Sequence, residues 1–230
     1  MKRKIFIACD TSKPSEIRKI IKNSQLKQLD IGYKFGLEFF NSKSGRLFIS
    51  KINKNTLIWL DLKLLDIPNT VSASIHSLAD LKNINYLTVH VSGGLEMMKS
   101  AKKAAKKINK NLKILGVTVL TSFSKNTLKK IGHTRSIKDL VLTQAKLAKS
   151  AGLDGIVCSG HESKIIKRVC KNIEIITPGI RLPGDNSQDQ KRIMNPMRAF
   201  QNGATAIVIG RSITKGNIKK NMQRLMRELK

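Results

Sequence analysis

The feature that most constrains the fold of this chain is its rhythm. Short apolar runs rich in β-branched residues alternate with longer stretches that have the spacing of amphipathic helices. The runs Ile5–Cys9, Leu29–Tyr33, Thr56–Leu60, Tyr86–Val89, Lys113–Val119, Gly155–Cys158, Glu174–Thr177 and Ala206–Ile209 predict eight strands. Helices are predicted over Ser15–Asn23, Leu37–Ile52, Val71–Asp80, Leu95–Ile108, Ser136–Ala151, Glu162–Cys170, Met197–Asn202 and Ile218–Leu229. Pro14 and Pro68 stand just ahead of two of these, where a missing N–H costs little. Gly152 and Gly203 close two others, where a left-handed residue is needed. Strict β–α alternation implies parallel strands joined by right-handed crossovers. Eight such units in 230 residues fit the α/β class as a single (β/α)8 TIM barrel, one domain over 1–230. An open doubly wound sheet is the alternative topology.

Composition narrows the function. No apolar run approaches the roughly 18 residues of a membrane span, and IFIAC near the start is too short for a signal sequence. A cytoplasmic protein with no membrane partner is expected. Cys9, Cys158 and Cys170 form no CxxC or Cys/His cluster, so they read as small buried hydrophobes and no metal site is expected. The formal charge of +29 raises nucleic-acid binding as a reading. Against it, the lysines are dispersed over helices, as in KSAKKAAKKINKN, and aromatics make up only 4%, too few for a base-stacking surface. No specific nucleic-acid partner is expected, and the charge serves to draw an anionic substrate.

In such a barrel the chemistry sits at the C-terminal ends of the strands. Asp10, Lys34, Asp61, Lys63, His90, Thr121, Ser159, Arg181 and Arg211 fall at or just after predicted strand ends. Within WLDLKLLDIPNT, period-two alternation puts Asp61 and Lys63 on one face and Leu60, Leu62 and Leu64 on the other. Charges in a barrel mouth must be paired. Asp66 and Lys34 extend the pair to an alternating array, with a plain ion pair capping the barrel as the bland reading. The loops TPGIRLPGDNSQDQ and IGRSIT follow the last two strands, where barrels often bind phosphate. Gly179 and Gly210 allow close backbone approach there, and Arg181 and Arg211 supply planar donor forks. His90, followed by Ser92, Gly93 and Gly94, reads as a hydrogen-bonded structural histidine more readily than as a base.

Taken together, DLKLLDIPNT, TVHVSGG, GVTVLTS, GLDGIVCS, TPGIR, DQKRIM and VIGRSIT, in this order, resemble the orotidine 5'-phosphate decarboxylase family in its shorter bacterial form. The resemblance spans nearly the whole chain. It implies cofactor-free decarboxylation of orotidine 5'-monophosphate, with Lys63 protonating C6 and Asp61 beside the departing carboxylate. Lys34 and Asp66 complete the array. The resemblance places Asp66 and Thr70 in the site of a partner subunit, so a homodimer is implied. Asp10 and Lys34 would hold the ribose hydroxyls, and Thr121 with Ser122 the pyrimidine. Pro178, Arg181, Gln190, Gly210 and Arg211 would hold the phosphate end, with 178–196 as the loop closing over it. Cys9, Leu65 and Val91 depart from the family's usual residues at positions without a role. A sugar-phosphate enzyme on the same barrel is the nearest alternative. Relatives of that kind use a metal-binding acidic pair near the third strand, where this chain has Leu62 and Lys63.

Overall fold

A computed structural model describes residues 2–185 and 192–229. Eight parallel strands close into a barrel in sequence order: β1 (Arg3–Ala8), β2 (Leu29–Gly36), β3 (Leu57–Leu64), β4 (Tyr86–His90), β5 (Lys113–Val117), β6 (Gly155–Val157), β7 (Glu174–Ile180) and β8 (Ala206–Ile209). The ring shuts through β1 and β8, with Lys4 opposite Ala206 and Ile7 opposite Ile209. The helices are α1 (Pro14–Asn23), α2 (Leu37–Phe40), α3 (Gly45–Ser50), α4 (Pro68–His76), α5 (Gly94–Ile108), α6 (Lys125–Lys130), α7 (Ile137–Ser150), α8 (Gly160–Val169), α9 (Pro196–Gln201), α10 (Arg211–Thr214) and α11 (Ile218–Glu228). None of the described helices is long and apolar enough to cross a membrane.

Alternation along the strands makes two cores. Phe6, Trp59, Tyr86, Leu115, Val157, Ile176 and Val208 point inward and fill the barrel. Ile5, Ile7, Leu60, Leu87, Ile114, Ile175 and Ile207 point outward against the helices. The inner core is organised by aromatic edges. The Phe6 ring meets Trp59 at 5.0 Å and Tyr86 at 5.3 Å, both T-shaped. Gly32 makes room for this, because a Cβ there would lie 2.7 Å from the Phe6 ring. Truncating Phe6 or Trp59 to alanine would cost about 3–5 kcal/mol.

The outer layer follows local chemistry. Helix α1 starts on Pro14, buries Ile17 and Ile20, and places Glu16 in its first turn and Lys22 in its last, matching the helix dipole. Ser136 and Ser159 cap α7 and α8 through their hydroxyls. Gly152 and Gly203 have φ of 74° and 99°, as helix-closing glycines should.

Three expectations need correction. The helix expected over Leu37–Ile52 is two short helices, α2 and α3. The Ser42 hydroxyl takes the Phe39 carbonyl at 2.7 Å, and Gly45 packs so tightly on that carbonyl that a Cβ would overlap it. Helix α6 was not anticipated, since it buries only Leu128 and leaves no amphipathic period. Strands β2 and β3 run further than expected, to Gly36 and Leu64, so Lys34, Asp61 and Lys63 lie within strands.

Candidate active site

Both irregularities of the barrel register fall at strand C-termini. One lies between Leu60 and Leu64, where β3 meets β4, and the other between Thr177 and Ile180, where β7 meets β8. Each coincides with a left-handed residue, Lys63 at φ 49° and Gly179 at φ 77°. Bulges of this kind re-aim side chains at barrel rims. For Gly179 the conformation costs little, but for Lys63 it costs about 1–2 kcal/mol. Thr88 on β4 holds Lys63 there. Its hydroxyl accepts the Lys63 backbone N–H at 2.9 Å and donates to Asp61 Oδ1 at 3.0 Å.

The other oxygen of Asp61 carries two cations. Lys63 Nζ lies 2.8 Å from Asp61 Oδ2 and Lys34 Nζ 3.3 Å from the same atom. Lys34 Nζ also lies 3.2 Å from Asp10 Oδ1. Lys34 and Asp61 are 11% and 9% exposed, so neither charge can rely on water and each needs the other. Burial alone pushes the Asp61 carboxyl up, but Lys34, Lys63 and the Thr88 hydroxyl outweigh it and hold the carboxyl below its ordinary value. Burial pulls Lys34 down, while Asp61 and Asp10 outweigh that and raise it. Both groups are therefore ionised at neutral pH. Burial, and then the Lys63 charge, lower His90, which is neutral there.

The array faces a cavity of about 590 Å³. Ala8, Trp59, Val117, Val157 and Val208 make an apolar floor. Asp10, Lys34, Asp61 and Lys63 form one wall, Thr121 and Ser122 lie beyond the end of β5, and Pro178, Gly179, Arg181, Gly210 and Arg211 form the far wall. Arg181 is buried and donates to the Ile180 carbonyl at 3.0 Å. Cys158 also lines the cavity, but burial pushes its thiol up to about 12, which leaves it unreactive. Among the described residues no group of three or more His, Cys, Asp or Glu side chains is placed to hold a metal.

Of the described residues that the resemblance assigns to the site, all but Asp66 and Thr70 line this cavity, while His90 and Ser159, also expected at strand ends, do not. Asp66, between β3 and α4, and Thr70, in the first turn of α4, are exposed and do not line the cavity faced by the Lys34–Asp61–Lys63 array of their own chain. The Asp66 carboxylate accepts the Ile67 N–H at 2.7 Å, and Leu65 and Ile67 beside it are 54% and 67% exposed. Gln190 lies outside the described residues. Of the segment 178–196, the first three residues belong to β7. Thr88 was missed, although the alternation Tyr86, Thr88, His90 along one face of β4 marks it as facing the barrel interior.

Comparison with known proteins identifies the family. The model of the orotidine 5'-phosphate decarboxylase / HUMPS family matches residues 3–223. Orotidine 5'-phosphate decarboxylase of a Wolbachia from Brugia malayi is 45% identical over 196 residues, 84% of each chain. That of Fusobacterium nucleatum is 39% identical over 232 residues, covering all of this chain and 96% of the other. The crystal structure of orotidine 5'-phosphate decarboxylase from Lactobacillus acidophilus superposes with a TM-score of 0.83 at 33% identity, over 99% of both chains. By sequence and by fold, this chain belongs to the orotidine 5'-phosphate decarboxylase / HUMPS family.

Proposed function

We propose that this enzyme decarboxylates orotidine 5'-monophosphate to uridine 5'-monophosphate in pyrimidine nucleotide synthesis, using its own side chains throughout. The observation that carries the proposal is the placement of Lys63. A strained backbone and an ionised Asp61 hold its ammonium at the mouth of an apolar-floored cavity, across from two arginines. A cavity of this size suits a nucleotide-sized ligand.

The hard step breaks the bond between C6 and the carboxyl carbon. Carbon dioxide leaves and the electron pair stays on C6. Lys63 places positive charge where that negative charge develops, then passes a proton to C6 and regains one from water. Asp61 holds Lys63 in place until then. Asp10 and Lys34 hold the ribose hydroxyls, and Thr121 with Ser122 reads the pyrimidine edge. Pro178, Arg181, Gly210 and Arg211, with Gln190, grip the phosphate. Asp66 and Thr70 complete the site of a partner subunit in a homodimer. Their exposed position beside Leu65 and Ile67 supports this reading. The enzyme acts in the cytoplasm.

Magnitudes divide the labour. Enzymes lower barriers by about 8–23 kcal/mol. One well-placed charge-stabilising group supplies about 3–4 kcal/mol. The remainder requires orientation and remote binding energy, which the phosphate grip supplies.

The test mixes purified protein with orotidine 5'-monophosphate in the presence of chelator and follows loss of the orotate chromophore. Wild type is expected to turn over, and Lys63→Ala to lose about 10³-fold or more in kcat. A well-folded wild type with no turnover, or Lys63→Ala at the wild-type rate, overturns the proposal.

A further inference from the structure

From residue 192 the chain follows a path that touches three elements. The Arg192 guanidinium pairs with Glu162 in the first turn of α8. Its other terminal nitrogen reaches the Val119 carbonyl at 3.5 Å, just beyond β5. Two residues later Met194 forms an isolated bridge with Ile180 of β7. The Met194 N–H donates to the Gly179 carbonyl at 3.1 Å, and the Arg181 N–H donates to the Met194 carbonyl at 3.0 Å. The Met194 thioether is pressed on the start of α8, where a Cβ on Gly160 would come within 2.5 Å of its sulfur.

The ion pair is largely out of water, with Arg192 13% and Glu162 9% exposed. Arg192 Nε and Glu162 Oε2 are buried without a hydrogen-bond partner among the described residues. A buried pair with two unsatisfied atoms contributes little net stability. What a rigid guanidinium fork does supply is a fixed position. Neither side chain lines the cavity, but the stretches they hold do. Val119 leads into Leu120, Thr121 and Ser122 on one side, and Met194 flanks Gly179 and Arg181 on the other.

We propose that Glu162 and Arg192 are a positioning pair that sets the stretch Val119–Ser122 and the stretch Gly179–Arg181 in one register across the cavity. On the functional reading above, on which this inference rests, the pair couples recognition of the base to recognition of the phosphate. Breaking it then damages catalysis only for a substrate that uses both walls.

The experiment compares wild type, Glu162→Gln and Arg192→Lys on orotidine 5'-monophosphate and on orotidine, which lacks the phosphate. Amide hydrogen exchange is measured over 119–122 and 179–181 in each protein. In both variants kcat/KM for the nucleotide is expected to fall about tenfold or more, while that for orotidine stays within about twofold. Exchange is expected to quicken in both stretches together. Two substitutions guard against a single variant that fails to fold, since Arg192→Lys keeps the charge and loses only the fork. Equal losses on both substrates, faster exchange in one stretch alone, or wild-type behaviour overturns the inference. If wild type turns over neither compound, the functional reading falls, while the exchange data still decide whether the pair links the two walls.

Discussion

The two ends of the barrel carry ionic clusters of similar composition and opposite character. At the N-terminal end Lys4 donates to the Tyr86 hydroxyl at 2.8 Å, and that hydroxyl lies 3.1 Å from Glu174 Oε2. Lys113 pairs with the other Glu174 oxygen, and Lys4 lies 3.7 Å from the first. Lys4, Glu174 and Lys113 keep between a fifth and two-fifths of their side-chain surface in water. At the C-terminal end Lys34 and Asp61 keep about a tenth, and Lys63 is bent into a left-handed conformation to face a cavity. The same chemistry therefore closes one end and arms the other. The difference lies in desolvation and strain. Solvated pairs contribute little and demand little, whereas the dry Lys34–Asp61 pair at the centre of the array holds its charges at fixed points at the expense of stability, with Lys63 still 32% exposed beside it.

Separating the ends by mutation gives the largest expected effect. Asp61→Asn leaves two lysines without their shared anion and should lower kcat about 10²–10³-fold. Glu174→Gln, which also removes one carboxylate that serves two lysines, should leave kcat within about twofold. Steady-state kinetics on both variants checks this, and comparable losses would erase the distinction between the two ends. Arg211→Ala should come next. If phosphate binding drives the chemical step, kcat falls about tenfold or more along with affinity. A rise in KM at constant kcat would mean that the far wall supplies only uniform binding.

How much of this was legible in the sequence follows the same division. The barrel was, because parallel strands buried on both faces write continuous apolar runs, and each of the eight runs overlaps a strand, though β2, β3 and β7 end later than expected and β5 earlier. Lys34, Asp61 and Lys63 were legible as strand-end polar residues, and their expected pairing is present. Long-range geometry was not legible. Nothing in DLKLLD signals that Lys63 leaves the extended region, since its strain is held by Thr88, 25 residues away. Arg192 and Glu162 read as ordinary charges on a loop and a helix until folding brings them together. The break in Leu37–Ile52 depends on one serine hydroxyl competing for a carbonyl, a contest that periodicity cannot register.

Stability should respond more modestly than rate, and at the solvated end. Glu174 is about four-fifths buried in a network that still meets water, so Glu174→Gln should lower Tm by about 2–4 °C. A calorimetric scan checks this, and an unchanged Tm would show that the closing cluster contributes nothing.

The smallest effect, and the one that assigns each end its own side of the pH profile, concerns titration. Asp61 is held below its ordinary 3.8, so the stability it contributes is present above pH 3.8 and is lost as pH falls through the lower folded value. Tyr86 is raised above its ordinary 10, first by burial and then by the Glu174 charge. The stability linked to it is complete below pH 10 and is lost as pH rises, because the unfolded chain ionises first. Melting wild type beside Asp61→Asn and Tyr86→Phe across pH should show two gaps. The gap to Asp61→Asn stays constant near neutrality and changes below pH 3.8, and again above pH 10.5 because Asp61 also raises Lys34, while the gap to Tyr86→Phe changes only above pH 10. Lys34, raised by Asp61 and Asp10, adds its own loss above its ordinary 10.5 at the opposite end. An alkaline loss should therefore persist in Tyr86→Phe, reduced to the part that Lys34 contributes. If the Tyr86→Phe gap instead changed below neutrality, the N-terminal cluster would not be the neutral-phenol, paired-carboxylate network its geometry implies.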